Sequence, residues 1–226
     1  MINFEQYLIE RKGSSAGQQV KRKVTESELR QMVANKDSNI ADVDVSEIED
    51  MSYLFKDSDF GGSWTADLSG WDTSKVENMR GMFLGCTSLT KVELPHTENV
   101  ENMRAMFARC KNLKEINLPI TRNVKYMFEM FRGCTSLREV SLPHTENVVI
   151  MYAMFWGCTS LIKVELANIE NVTDMNFMFA RCKELQQDFS SWDITNVNEK
   201  SDMFKGCTKM EDAYKDGKRY YPKGYK

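Results

Sequence analysis

The amino-acid sequence predicts an α/β repeat solenoid, a stack of coils of about 24 residues with one short parallel strand per coil and an N-terminal capping helix. Two observations lead to this prediction: one Met-Phe dipeptide per repeat recurs at a nearly fixed spacing, and most large apolar residues recur in register with it. The spacing is 24 residues four times and then 25. The phenylalanines of these dipeptides are Phe83, Phe107, Phe131, Phe155, Phe179 and Phe204.

Three further columns of residues repeat with the same step, which indicates that every coil buries the same side chains against its neighbours. They are the valines Val76, Val100, Val124, Val148, Val172 and Val197; the methionines Met79, Met103, Met127, Met151 and Met175; and the cysteines Cys86, Cys110, Cys134, Cys158, Cys182 and Cys207. The composition, with 42% apolar and 28% charged residues among 226, is that of an ordinary globular protein.

Each repeat contains two segments with different patterns. The segment SLTKVELP, residues 88–95, sets apolar side chains among polar ones and ends at a proline, which favours a short strand. The segment NVENMRAMFARC, residues 99–110, spaces its apolar residues by three and four, as one or two helical turns or a tight irregular arc would. In both cases we expect the apolar side to face inward.

A column of asparagines precedes the repeated valines. We expect their amide side chains to be buried at a corner of each coil and to bond to free backbone groups of their own and adjacent coils. These residues are Asn99, Asn123, Asn147, Asn171 and Asn196.

Both ends of the repeat carry features of caps. Thr25, followed three residues later by Glu28, predicts a capping box at the start of a short amphipathic helix in TESELRQMVANK. Ser58 replaces the cysteine in the first coil and Lys200 replaces a methionine in the last, as expected of exposed terminal coils. The chain thus divides into a flexible leader at 1–22, a cap helix and connection at 23–41, the solenoid at 42–210 and a basic aromatic tail at 211–226.

The repeated pattern N-V-x-x-M-x-x-M-F-x-x-C-x-x-L-x-x-V-x-L-P resembles the BspA-like surface-protein repeat, a divergent leucine-rich repeat, over roughly residues 42–210. The segments DVDVSEIEDMSYLF and DLSGWDTSKVENMRGMF are similar to that family's first repeats, and DFSSWDITNVNEKSDMF is similar to a late one. The resemblance implies a non-enzymatic interaction scaffold, which in this family is often displayed on a microbial surface.

The six cysteines allow three interpretations. We expect a reduced packing column, because all six share one position, form no CxxC pair and have no histidine near them. Disulfides between adjacent coils are permitted by a ladder spacing of about 4.8 Å, but stacked side chains point in parallel. Two methionines per repeat beside a cysteine also resemble a Cu(I) site, yet core packing explains them without a metal.

The sequence contains no recognisable catalytic motif, and we expect neither an enzyme nor a cofactor. His96 and His144 lie two repeats apart, which at the ladder spacing is about 10 Å and too far for joint ligation or a shared proton. A hydrolase or a nucleic-acid-binding protein is the remote alternative.

Binding is expected where side chains break the repeat. Apolar residues replace polar ones in the middle coils, which predicts a partner-binding surface, with packing beneath a cap as the alternative. The candidates are Tyr126, Phe128, Val149, Ile150, Tyr152, Trp156, Ile162 and Phe177. Secondary candidates on the outer side of the strands are Lys91, Glu93, Lys114, Glu115, Arg138, Glu139, Lys163 and Glu165.

These candidates predict a protein partner, with self-association as an alternative. The net charge of −3 gives no general attraction to nucleic acid or to an anionic membrane. The tail YKDGKRYYPKGYK interleaves basic and aromatic residues, as clamps for single-stranded nucleic acid do, but a flexible or cap-covering end is the expected role.

The leader MINFEQYLIE resembles the capsid-targeting leader of internal head proteins in tailed phages, with cleavage after Glu10; an ordinary N-terminal helix is the alternative. The resemblance implies a phage-encoded inhibitor of a host defence protein. Because the first residues lack a secretory pattern and no run of about 18 apolar residues occurs, we expect the host cytoplasm, and the virion for a phage protein, rather than the cell surface of an adhesin.

Overall fold

A computed structural model of the chain describes residues 21–94, 96–118, 120–215 and 220–225. Helices occur at the two ends of this part of the chain and short strands lie between them. The strands are β1 (Arg22–Lys23), β2 (Val43–Asp44), β3 (Trp64–Asp67), β4 (Leu89–Glu93), β5 (Glu115–Asn117), β6 (Glu139–Leu142) and β7 (Lys163–Leu166). The helices are α1 (Glu26–Ala34), α2 (Thr208–Lys215) and a 3₁₀ turn at Ile40–Asp42.

The strands of successive coils pair in parallel, in the orders β1-β2, β3-β4-β5 and β6-β7. Their register follows the repeat, since Val92 pairs with Ile116, and Val140 pairs with Val164 one coil apart. Among the described residues no ladder joins β2 to β3 or β5 to β6, so the strands form three separate sheets. The prediction of a parallel-strand solenoid with a period of about 24 residues is confirmed.

The segment between strands forms an arc rather than a helix. In each arc two residues have a positive φ, as Ala105 (51°) and Arg109 (64°) do, and this left-handed conformation prevents a continuous helix. The backbone instead bonds to the next coil, with the Met103 N–H donating to the Tyr126 carbonyl at 3.0 Å. A second parallel ladder of single bridges results, through Asp50, Asn78, Asn102, Tyr126, Ile150, Asp174 and Glu199.

The phenylalanine column forms a continuous spine through the core. Successive rings stack nearly in parallel, with centroids 5.2–5.6 Å apart and interplanar angles of 4–15°. The spine begins one coil before the first Met-Phe dipeptide, at Phe55, and every ring in it is buried. Identical rings therefore stack because identical coils are superposed one step apart.

The cysteines fill the column beside this spine. All six thiols are free and buried, and each donates a weak hydrogen bond to the phenylalanine carbonyl of the preceding coil, as Cys110 Sγ does to Phe83 O at 3.0 Å. Burial raises the pKa of the Cys158 thiol to about 12. The packing interpretation is confirmed, because these side chains act as small apolar residues with one satisfied donor.

Polar columns hold the corners of the coils. The buried threonines Thr73, Thr97, Thr121 and Thr145 donate their hydroxyl groups to carbonyls of the following coil. The asparagine prediction is wrong in one respect, because Asn99 and its equivalents are exposed rather than buried. Four of them still bond to the preceding coil, as Asn99 Nδ2 does to Ser74 O at 2.6 Å, from the solvent side of the corner.

The N-terminal end is closed as predicted. Thr25 caps α1, with its side chain accepting from the Glu28 N–H while the Glu28 carboxylate accepts from the Thr25 N–H. The helix buries Leu29, Met32 and Val33 against the first coil. The capping box and the covering helix are thus confirmed.

The C-terminal end uses side chains in place of a further strand. The Gln187 amide bonds to both the N–H and the carbonyl of Val164, at 2.7 and 2.8 Å, and so satisfies part of the edge of β7. Lys200 directs its ammonium group at the Val197 carbonyl at 2.6 Å. In the described part of the tail, Tyr221 and Tyr225 pack against Phe204, which supports the cap-covering role.

Candidate partner-binding surface

The structure brings seven of the eight primary candidates together on the arc side of three successive coils. Tyr126, Val149 and Tyr152 are exposed, at 41%, 38% and 36% of their surface. Phe128, Ile150, Trp156 and Phe177 are half-buried around them. We call these seven residues the aromatic patch. The eighth candidate, Ile162, lies apart on the strand side, directly before β7, where its N–H bonds to the Arg138 carbonyl at 2.8 Å.

The patch occupies columns whose side chains point away from the core. Tyr126 and Ile150 are bridge partners in the second ladder, where the neighbouring coils carry Asn102 and Asp174. The column of Phe128 and Tyr152 contains Arg104 in the coil before them. Apolar residues therefore stand at outward positions that are polar elsewhere, and the outward direction follows from the inward packing of Met127 and Met151, which stand between the two columns.

Arginine side chains stack on the aromatic rings of the patch. The Arg104 guanidinium lies 4.2 Å from the centroid of the Phe128 ring. The guanidinium groups of Arg132, from the preceding coil, and Arg181, from the following coil, each lie 4.9 Å from the Trp156 ring. These are cation–π contacts, and they fix the rings and the guanidinium groups together.

A shallow depression of about 240 Å³ lies within the patch. Its lining residues are Glu129, Arg132, Tyr152, Ala153, Trp156 and Phe177. Phe177 meets Tyr152 edge to face, with ring centroids 6.0 Å apart. The Glu129 carboxylate pairs with Arg132 at 2.6 Å, so one charge of the rim is compensated within the chain.

Phe177 holds a strained backbone conformation. Its φ is 57°, in the left-handed region that bulky residues rarely adopt, and the equivalent position two coils before the patch is Gly81. The Phe177 N–H bonds to the Ser201 carbonyl of the next coil at 3.0 Å, which fixes the backbone in this conformation. Tyr53, Ala105, Glu129, Ala153 and Asp202 hold a similar φ at the equivalent position, so this conformation is a property of the arc.

The strand face carries the secondary candidates and is organised differently. Lys91 pairs with Glu93 at 2.9 Å and with Glu115 of the next strand at 3.6 Å. Lys163 pairs with Glu165 at 2.7 Å and lowers the pKa of that carboxyl. Glu139 lies opposite Lys163 in the sheet register, and Lys114 and Arg138 are exposed. This face is a solvated array of charges of both signs, in which part of the charge is compensated by ion pairs.

The two histidines have separate local partners. His96 Nδ1 lies 3.5 Å from a Glu98 carboxylate oxygen, and His144 Nδ1 lies 3.3 Å from Arg122 Nε. Over the described residues, no group of three or more His, Cys, Asp or Glu side chains is placed to hold a metal ion. In the same part of the chain, no helix has the length and apolar character needed to cross a membrane.

The stacked arginines were missed by the sequence reasoning. Arg104 shares a column with Phe128 and Arg132 shares one with Trp156, each 24 residues apart, whereas Arg181 stands one position later in its repeat than Trp156. The available signal was their placement one coil before or after an aromatic residue. A further stack of this kind joins Arg80 to the exposed ring of Tyr53, at 5.3 Å, in the first two coils.

Parallel coils with a stacked apolar spine and capped ends define a leucine-rich-repeat-like solenoid. The chain belongs to the family described as "Mycoplasma protein of unknown function, DUF285", whose model matches residues 25–140 and 125–218. The resemblance to the BspA-like repeat is thereby confirmed. The match begins after the leader, and residues 1–20 lie outside the described part of the chain, so the likeness to a phage leader stays a prediction.

Two solved structures resemble parts of the chain. A leucine-rich repeat protein from Bacteroides ovatus has 28% identity and a TM-score of 0.41, over 50% of this chain and 29% of that protein. The T. pallidum leucine-rich repeat protein has 19% identity and a TM-score of 0.36, over 60% of this chain and 70% of that one. The present chain thus spans less than a third of the length of the Bacteroides ovatus protein. Comparison with curated proteins gives no match.

Proposed function

We propose that the protein is a non-catalytic scaffold that binds a protein partner through the aromatic patch. The observation that carries this proposal is the cluster of Tyr126, Val149 and Tyr152 on two adjacent coils, which holds three of the four exposed large apolar residues in the described part of the chain. Contiguous exposed apolar side chains are uncommon on monomeric proteins and mark interfaces, in which Tyr, Trp and Arg contribute disproportionately.

The patch is a better candidate than the strand face because its residues gain more from being covered. Covering exposed aromatic rings removes apolar surface from water, at about 25 cal/mol per Å². Five of the eight charged candidates on the strand face already have ion-pair partners, as Lys163 and Glu165 do, and would lose water on binding with little new attraction. A repeat protein also keeps its backbone rigid, which limits the entropy lost on association.

A photo-crosslinking experiment tests the assignment of the face. The crosslinking amino acid p-benzoylphenylalanine is placed at Tyr126 in one variant and at Lys114, on the strand face, in a matched control. After ultraviolet exposure in a cell lysate, we expect one discrete crosslinked protein from the patch variant and none from the strand-face variant. Crosslinks from the control alone would overturn the proposal.

A variant of the aromatic patch with three substitutions provides a second test of the proposed function. The combination Tyr126→Ser, Val149→Thr and Tyr152→Ser should abolish capture of the crosslinked protein while changing the free energy of unfolding by about 1.5 kcal/mol or less, since all three side chains are exposed. Retention of the partner by this variant would contradict the proposal, provided that urea unfolding shows the variant to be folded.

Narrower roles of the same scaffold remain predictions. An inhibitor of a host defence protein and a surface adhesin would both use a protein-binding surface of this kind. Mass spectrometry of virions distinguishes the first, because a form beginning at Arg11 would support the phage leader and an intact Met1 form would count against it.

A further inference from the structure

We propose that the partner segment seated on the aromatic patch is an acidic polypeptide with apolar side chains, whose carboxylates bind the stacked guanidinium groups of Arg104 and Arg181. This inference rests on the proposed function, because it names the chemistry of the partner at the same surface.

The stacks present guanidinium donors in a fixed orientation. Arg104 lies 4.2 Å from the Phe128 ring and Arg181 lies 4.9 Å from the Trp156 ring. A guanidinium that contacts a ring with its face keeps the N–H donors of its rim free, in the fork geometry that matches a carboxylate. Because the side chain is already held by the ring, less conformational entropy is lost when a carboxylate binds.

The charge balance at the patch leaves two of its three cations without an ion pair. Arg132 is compensated by Glu129 at 2.6 Å. Within the described part of the chain, Arg104 and Arg181 make ring contacts but no ion pair. Glu129 lines the depression and Asp174 is the bridge partner of Ile150, so three arginines stand beside two carboxylates and leave an excess of one positive charge, although the whole chain has a net charge of −3. Electrostatic complementarity therefore favours an acidic partner.

The exposed rings add a requirement for apolar side chains. The two guanidinium groups contact the rings of Phe128 and Trp156, which belong to adjacent coils about 4.8 Å apart and stand four positions apart along the arc. Tyr152 shares a column with Phe128 and a coil with Trp156, and Tyr126 and Val149 expose apolar surface beside it. An extended segment of about five residues that binds both guanidinium groups therefore lies beside these apolar side chains.

The contacts that the Trp156 ring already makes argue against a single-stranded nucleic acid as the partner. Sequence-tolerant binding of single strands uses bases that stack on open aromatic faces. Trp156 carries one guanidinium from the preceding coil and another from the following coil, each 4.9 Å from its ring, so both neighbouring coils already supply its stacking partners.

The test uses fluorescent probes of defined chemistry with the full chain. The first probe is a peptide of about ten residues that alternates Glu with Leu and Phe; the second replaces every Glu with Gln; the third is an oligo-dT of similar length. Fluorescence anisotropy is measured at about 50 mM and about 500 mM salt, because screening weakens charge recognition. We expect the acidic peptide to bind about ten-fold more tightly than the Gln peptide at low salt and to lose this advantage at high salt.

Single-residue variants test whether the acidic peptide binds at the arginine–ring contacts. Arg181→Gln should weaken the acidic peptide about ten-fold, while Arg138→Gln, which makes the same charge change on the strand face, should leave its affinity unchanged. The affinity of Arg181→Lys should lie between those of the parent protein and of Arg181→Gln, because an ammonium group keeps the charge but offers no planar fork. Circular dichroism confirms that each variant is folded.

Several results would overturn the inference. The first two are binding of the Gln peptide as tight as that of the acidic peptide, and binding of oligo-dT tighter than that of the acidic peptide. The other two are a loss of affinity in Arg138→Gln equal to that in Arg181→Gln, and an affinity of Arg181→Lys equal to that of the parent protein. If the acidic peptide is not favoured while p-benzoylphenylalanine at Tyr126 still captures a partner, the inference fails alone. If that capture fails as well, the proposed function fails with it.

Discussion

Phe128 and Phe131 lie three residues apart in one coil and have opposite surroundings. Phe131 is fully buried between Phe107 and Phe155, with ring centroids 5.5 Å away on each side. Phe128 faces outward, and its ring contacts the Arg104 guanidinium at 4.2 Å. The inner ring meets copies of itself because its column repeats, whereas the outer ring meets a cation because its column does not. In this protein, recurrence supplies the packed core, and departure from it supplies an outward surface with different chemistry.

The largest effect is expected where the recurrent spine is broken. Phe131→Ala should lower the free energy of unfolding by about 3–5 kcal/mol, because it removes a buried ring and leaves a cavity between two rings that the neighbouring coils hold in place. Urea unfolding followed by circular dichroism measures this change. The control Phe128→Ala should cost about 2 kcal/mol or less, since it loses one cation–π contact and part of a half-buried ring. Equal losses in the two variants would contradict the division between spine and patch.

Most of the interior could be predicted from the sequence because its side chains recur from coil to coil. A side chain that recurs every 24 residues meets its own copies, so Phe131 or Cys134 can be assigned to the core without knowing the path of the backbone. The capping box at Thr25 and Glu28 was predictable because its contacts lie within one helical turn. Such assignments depend on local spacing or on translation along the stack.

Other contacts could not be predicted because they depend on the path of the arc. Arg181 reaches Trp156 only because the arc places their different repeat positions side by side in adjacent coils. The side-chain strand cap of Gln187 depends on where the last strand ends, and the burial of Asn99 was mispredicted because a corner column can bond from its solvent side. The separation of Ile162 from the patch likewise follows from its position on the strand side.

The cysteine column should make the interior sensitive to alkaline pH. Burial raises the pKa of the Cys158 thiol to about 12, above its value of about 8.5 in an unfolded chain. Above pH 8.5 the unfolded state loses this proton while the folded state keeps it, so the stabilisation present at lower pH is lost as pH rises toward 12. The loss amounts to about 1.4 kcal/mol per pH unit for one such thiol.

The comparison with Cys158→Ala isolates this effect. The variant is expected to be less stable at pH 8, since a buried side chain is truncated, but its free energy of unfolding should fall less steeply between pH 8.5 and pH 10.5 than that of the parent protein. Urea unfolding at a series of pH values gives both slopes. Identical slopes would show that the thiol is ionised in the folded state as easily as in the unfolded one.

The smallest effect is expected on the strand face. Lys91→Gln removes the ion pairs to Glu93 and Glu115, but all three side chains remain solvated, so the free energy of unfolding should fall by about 1 kcal/mol or less. Raising the salt concentration to about 1 M should shrink even this difference, because exposed charges are screened. Urea unfolding at low and high salt measures both values. A loss as large as that of Phe131→Ala would mean that the ion-paired strands, and not the aromatic spine, hold the coils together.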